Sequence, residues 1–147
     1  MLDRYGTPAA YACIRGGEMY PQIQGTMKMY PRCNGVLVAV QVCGLPTTRD
    51  NFFAFHIHDG VDCCGAGFPN AGSHYNPRDA KHPQHAGDLP PLIACKGKAY
   101  LAFVTDRFSV YDVIGKTVVI HAKADDFTAQ PSGNPGGKIA CGVIEKC

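Results

Sequence analysis

Six short runs in this chain cluster or alternate β-branched and other apolar residues and are bounded by Gly, Pro, Asn or Asp: QIQGTMKMY, GVLVAVQVC, NFFAFHIH, KAYLAFV, KTVVIHA and KIACGVI. Runs of this length and punctuation read as strands, and the set predicts an all-β antiparallel sandwich or barrel. The one stretch with helical character, TDRFSVYDVIG, opens at Thr105 or Asp106 and closes at Gly115, and it suits a connection between strands equally well. At 147 residues the chain reads as a single domain over 1–147, long enough for a real core. No apolar stretch approaches the ~18 residues of a membrane span, so a soluble protein without a membrane partner is expected. The 14 Lys and Arg are scattered among 12 Asp and Glu for a net charge of +2, which does not make a nucleic-acid surface. The start, MLDRYGTPAAYACIRGG, lacks a basic segment followed by an apolar one. A cytoplasmic location is therefore expected, and an exported one if a leader has been removed.

Within NFFAFHIH, successive strand side chains point to opposite faces, so His56 and His58 share one face and Phe55 and Ile57 the other. Two imidazoles so placed can converge on one copper or zinc ion, although the same spacing also occurs on solvated strand faces. Two stretches then break the strand rhythm, from Asp59 to about Gly97 and from Ala122 to Gly137. Loops longer than ~12 to 15 residues without regular structure are uncommon in compact domains unless functional or disordered. The first contains His74, His82 and His85, and His121 ends the strand before the second, so all six histidines lie on strand ends or in the long loop. A bound metal would supply the order that the loop sequence lacks.

Five motifs in order, FHIH, GSHYNP, HAGDL, HAKADD and GNPGGKIACGVI, resemble the copper/zinc superoxide dismutase family over roughly residues 20 to 145. The resemblance implies a Greek-key antiparallel β-barrel of about eight strands with a metal-binding loop and an electrostatic loop outside it. It implies an oxidoreductase that turns superoxide, a small anionic substrate, into dioxygen and hydrogen peroxide with copper and zinc as cofactors. Carried over residue by residue, copper would be held by His56, His58 and His121, with His74 as a fourth ligand that bridges to zinc. Zinc would be completed by His82, His85 and Asp88. An all-imidazole set tolerates both oxidation states of copper, whereas zinc keeps one valence and suits a closed nitrogen and oxygen site. Catalytic roles are implied for His74, as carrier of a proton to peroxide, and for Lys138, which stands where the family has an arginine. Asp125 matches a carboxylate that hydrogen-bonds the free nitrogens of His56 and His82, which would fix their orientation and tautomer. The disulfide that pins the metal loop to the last strand would join Cys141 to Cys63 or Cys64.

The chain also departs from the family pattern. Only two residues separate His82 from His85, where the family has a longer insert, and Pro83 favours the tight turn this requires. The electrostatic loop looks shortened. The chain has eight cysteines, and their spacing is not that of a paired CxxC zinc module. Cys13, Cys33, Cys43, Cys95 and Cys147 read as buried thiols acting as small apolar residues. A homodimer is left open. Two other classes fit the same fold, a non-catalytic copper and zinc module such as a chaperone or metal buffer, and a catalytically silent sandwich for protein contacts. Retention of every ligand position favours the enzyme.

Overall fold

The computed structural model describes residues 4–147; residues 1–3, where the segment examined for an export signal begins, lie outside the described residues. Apolar alternation organises the chain into nine strands among the described residues. They are β1 (Ala10–Gly16), β2 (Gln24–Arg32), β3 (Gly35–Cys43), β4 (Phe52–Phe53), β5 (Phe55–His58), β6 (Leu92–Ile93), β7 (Ala99–Thr105), β8 (Thr117–His121) and β9 (Lys138–Lys146). Seven of them form one curled antiparallel sheet in the order β5-β8-β9-β1-β2-β3-β7, and β4 pairs with β6 alone. β1, β2 and β3 follow one another as a meander. The chain then crosses to the far edge for β5, returns beside β3 for β7, and crosses again for β8, which gives the Greek-key connectivity.

One face of this curled sheet closes over an apolar core that includes Ile14, Met27, Val38, Phe55, Ile57, Val118, Ile120 and Ile144. The alternation is clean on β1, where Ala10, Ala12 and Ile14 are fully buried while Cys13 is exposed. All six sequence-predicted runs become strands, with NFFAFHIH divided into β4 and β5 around Ala54. β1 and β6 were not anticipated, and β6 falls inside the segment 59–97 that carries no strand pattern.

Of the two readings left open for the stretch from Thr105 or Asp106 to Gly115, the structure gives the connection between strands, with helical character confined to a single turn, α1 (Val110–Val113). Thr105 is already committed to β7, where it pairs with Val36. The turn starts only where Asp112 accepts a hydrogen bond from the Ser109 backbone N–H at 2.8 Å. Among the described residues no helix is long and apolar enough to cross a membrane.

Candidate metal centre

β5 and β8 pair in a register that sets His56 opposite Val119 and His58 opposite Thr117, while Phe55 and Ile57 meet Ile120 and Val118. The apolar members enter the core, so the two histidines project from the outer face of the same strand pair. A register shift between Ile120 and His121 brings His121 opposite Lys138. Such a bulge re-aims the side chain at a strand end.

The loop after β5 is ordered by the free edge of that strand. The Ile57 N–H donates to Gly87 O at 2.9 Å, the Tyr75 N–H to Ile57 O at 2.8 Å and the Asp59 N–H to Ser73 O at 2.8 Å. These bonds bridge His56 to Asp88 and His58 to His74. Gly87 has to be glycine here, because a Cβ would collide with the Ile57 carbonyl oxygen. Backbone pairing at the sheet edge thus supplies order that the sequence assigned to a metal alone. The narrow spacing from His82 to His85 is turned by a 2.7 Å bond from the Gln84 N–H to Lys81 O.

Two groups of donor atoms result, one from His56, His58, His74 and His121 and one from His74, His82, His85 and Asp88, the atoms of each lying within 4.8 Å of one another. His74 belongs to both. Its Nδ1 lies 2.8 Å from Asp88 Oδ1 and 3.2 Å from His85 Nδ1. His58 Nε2 and His121 Nε2 are 3.2 Å apart, and His82 Nδ1 is 3.0 Å from Asp88 Oδ2.

The opposite nitrogens decide the tautomers. His58 Nδ1 faces Gly72 O at 2.7 Å and His121 Nδ1 faces Gly136 O at 3.2 Å. A carbonyl only accepts, so both protons sit on Nδ1 and both lone pairs on Nε2, toward the centre. Asp125 does the same from the other side, accepting from His56 Nε2 at 2.8 Å and from His82 Nε2 at 2.7 Å. Lone pairs are thereby fixed on His56 Nδ1 and His82 Nδ1. His56 Nδ1, His74 Nε2 and His82 Nδ1 are buried and receive no hydrogen bond from the described residues, the Asp88 oxygen 3.0 Å from His82 Nδ1 being itself an acceptor. Buried, unmatched acceptors cost about 1 to 3 kcal/mol each, a cost that a cation held between them removes. The donor set fits copper at the four-imidazole group and zinc at the group with the carboxylate.

Burial pushes the His58 pKa down to about 2 and that of His121 to about 3, and it also lowers that of His56 against the opposing pull of Asp125. These rings are neutral at physiological pH, the form a metal requires. Burial alone would raise Asp88, but the hydrogen bond from His74 and the nearby imidazoles hold it below the ordinary carboxylate value. Asp125 is held well below that value in the same way, by the bonds from His56, His82 and the Phe127 N–H outweighing its burial.

In front of the four-imidazole group lies a cavity of about 560 Å³ lined by His58, His74, His121, Gly136 and Lys138. The Lys138 ammonium donates to Phe68 O at 3.2 Å, and partial burial lowers its pKa. Of the two expected partners for Cys141, the structure joins Cys63, which leaves Cys64 exposed and free. The reading of the remaining cysteines as buried is corrected: Cys13, Cys33, Cys95 and Cys147 are exposed and Cys43 is half-buried. They sit on an outward strand face, in a hairpin, in a turn and at the chain end, where no core is available to them.

A Greek-key β-sheet with two adjoining donor groups that share one imidazole defines a protein built for a pair of unlike metal ions. The copper/zinc superoxide dismutase family model matches residues 23–144, and the chain belongs to that family. It is 35% identical to a copper-zinc superoxide dismutase of Aquifex aeolicus, over 84% of this chain and 80% of that protein. The copper-zinc superoxide dismutase of Deinococcus radiodurans is 34% identical, over 84% of this chain and 78% of its own length. Superoxide dismutase A of Xenopus laevis is 32% identical, over 92% and 96%.

Two residues that bear on the site escaped the sequence reading. Gln130 clasps the His82 backbone, its Oε1 accepting from the His82 N–H at 3.0 Å and its Nε2 donating to His82 O at 2.7 Å. Arg107 donates to carbonyls of the loop 82–88 from the connection between β7 and β8. Neither lies in a motif, and no spacing marks them.

Proposed function

We propose that this chain dismutes superoxide to dioxygen and hydrogen peroxide, with copper at His56, His58, His74 and His121 and zinc at His74, His82, His85 and Asp88. The observation that carries the reading is the shared His74, which offers Nδ1 to one donor group and a buried, unpartnered Nε2 to the other. Copper supplies the one-electron cycle that oxidises one superoxide and reduces the next. The net reaction consumes two superoxide ions and two protons for each dioxygen and hydrogen peroxide.

The residues of the chain do the remaining work. Lys138 attracts the anion into the cavity it shares with His58, His74 and His121, a long-range effect weakened by salt. As a flexible point charge it draws the anion in without the bidentate grip of an arginine. His74, whose Nε2 is buried and unpartnered, would carry a proton at that atom toward the reduced oxygen. Asp125 keeps His56 and His82 in the tautomer that turns Nδ1 inward.

The test is superoxide removal by the metal-loaded protein and its His121→Ala variant. The variant is expected to lose turnover and keep its fold, because His121 ends a strand outside the apolar core. Unchanged turnover in the variant would refute the copper assignment.

A further inference from the structure

Within the stretch from His82 to Asp88 the backbone bonds itself only once, from the Asp88 N–H to His85 O at 3.1 Å, so its other outward carbonyls need donors from elsewhere. Arg107, on the connection between β7 and α1, supplies them. Its Nη1 lies 2.9 Å from Pro83 O and 3.1 Å from His85 O, with Asp88 O at a longer 3.5 Å. The part-buried guanidinium thus touches both ends and the middle of the segment that carries His85 and Asp88. On the inner side of the same segment, the Asp88 carboxylate accepts from the His85 N–H at 3.0 Å and faces His74 and His82. Without the guanidinium, Pro83 O would lose its donor and His85 O would keep only the bond from the Asp88 N–H, so the segment would turn toward water and swing His85 and Asp88 with it.

We propose that Arg107 is a positioning residue for the zinc group, a replacement for the rigidity that a longer insert between His82 and His85 would otherwise give. The proposal rests on the zinc reading above. Arg107 touches no donor atom directly; it acts on the backbone that presents them. Charge-assisted bonds to carbonyls are stronger than neutral ones, and two of them on adjacent turns of one loop restrict its shape. Partners of this kind behind metal ligands typically account for about 10- to 100-fold in metal affinity.

The experiment titrates the copper-loaded full-length chain with Zn²⁺ against a chromophoric chelator, in the wild type, Arg107→Gln and Arg107→Lys. Copper affinity and the melting temperature of the metal-free protein are measured alongside. Arg107→Gln is expected to weaken zinc binding about 10- to 100-fold with copper affinity within threefold of wild type. Arg107→Lys, whose ammonium can still reach a carbonyl, is expected to recover part of the loss. Co²⁺ in place of Zn²⁺ should give weaker visible absorption in the glutamine variant, reporting a site that has left four-coordinate geometry for a higher coordination number. Zinc affinity within threefold of wild type in Arg107→Gln overturns the proposal. So does a parallel fall in zinc affinity, copper affinity and melting temperature with no recovery by lysine, because that pattern marks a general structural loss. Should the glutamine variant fail to fold, the lysine variant decides: zinc affinity a few-fold weaker supports the role, and unchanged affinity overturns it. A wild-type chain that takes up copper and no zinc refutes the zinc reading itself, and this proposal with it.

Discussion

Asp125→Asn isolates the tautomer argument with almost no change of shape. The carboxylate accepts three hydrogen bonds, from His56 Nε2 at 2.8 Å on Oδ2 and from His82 Nε2 and the Phe127 N–H, both at 2.7 Å, on Oδ1. Asparagine offers one acceptor oxygen where aspartate offers two. Whichever way the amide turns, its N–H₂ faces the N–H of one histidine. That histidine either keeps a buried, unmatched donor or moves its proton to Nδ1, the atom that faces the metal. The cost of an unmatched buried polar group is about 1 to 3 kcal/mol. At about 1.4 kcal/mol per decade of affinity, this weakens copper or zinc by about 5- to 150-fold, according to which ring is disturbed. Competition titrations with each metal separate the two cases, and ring-proton NMR of the zinc-loaded, copper(I) protein reports which nitrogen carries hydrogen. Both affinities within threefold of wild type, with unchanged tautomers, would refute the reasoning.

The metal-free protein is expected to lose stability in acid. His58 and His121 have folded values of about 2 and about 3 against 6.5 for the free group, so below pH 6.5 the unfolded chain binds protons that the folded chain refuses. Their contribution is complete above pH 6.5 and falls away with acidification, by about 2 kcal/mol for each ring at pH 5. Urea denaturation of the metal-free chain at pH 7.5 and 5 checks this, and equal or greater stability at pH 5 contradicts it. Cys63→Ser opens a link with a sequence separation of 78 and is expected to cost about 4 to 5 kcal/mol in denaturant melts on the chain-entropy estimate. Cys64→Ser should change stability by no more than about 0.5 kcal/mol, and a reversal of that order would move the disulfide to Cys64. Lys138→Arg should keep or raise turnover, and Lys138→Glu should depress it sharply and abolish the fall in rate with added salt. Equal salt-dependent rates in all three proteins would remove Lys138 from substrate capture.

The strands were legible because β2, β3, β7, β8 and β9 each carry enough clustered or alternating apolar residues to read as strands. β1 was missed because its buried residues are mostly small, Ala10 and Ala12 beside Ile14, and give a weak apolar signal. β6 is a two-residue pairing that no periodicity can reveal. The histidines were legible as a set because all six lie at strand ends or in the long loop, and FHIH placed two of them on one strand face. The path of the loop was not: it follows the free edge of β5 through backbone bonds, which constrain side-chain identity only at Gly87. Arg107 and Gln130 were invisible for the same reason, since what they recognise is main chain. The exposed cysteines show the limit of residue-type averages. Cys13 has the identity of a buried residue and the position of a solvent-facing one.

The central claim is that one chain holds a redox-active copper beside a structural zinc and uses the pair to remove superoxide. Elemental analysis of the purified protein, taken with superoxide decay measured on the same sample, tests it most directly. The expected result is one copper and one zinc per chain, with a decay rate that scales with copper content across partly loaded preparations and vanishes when copper is removed while zinc is retained. A fully copper-loaded chain that leaves superoxide decay at the uncatalysed rate would contradict it.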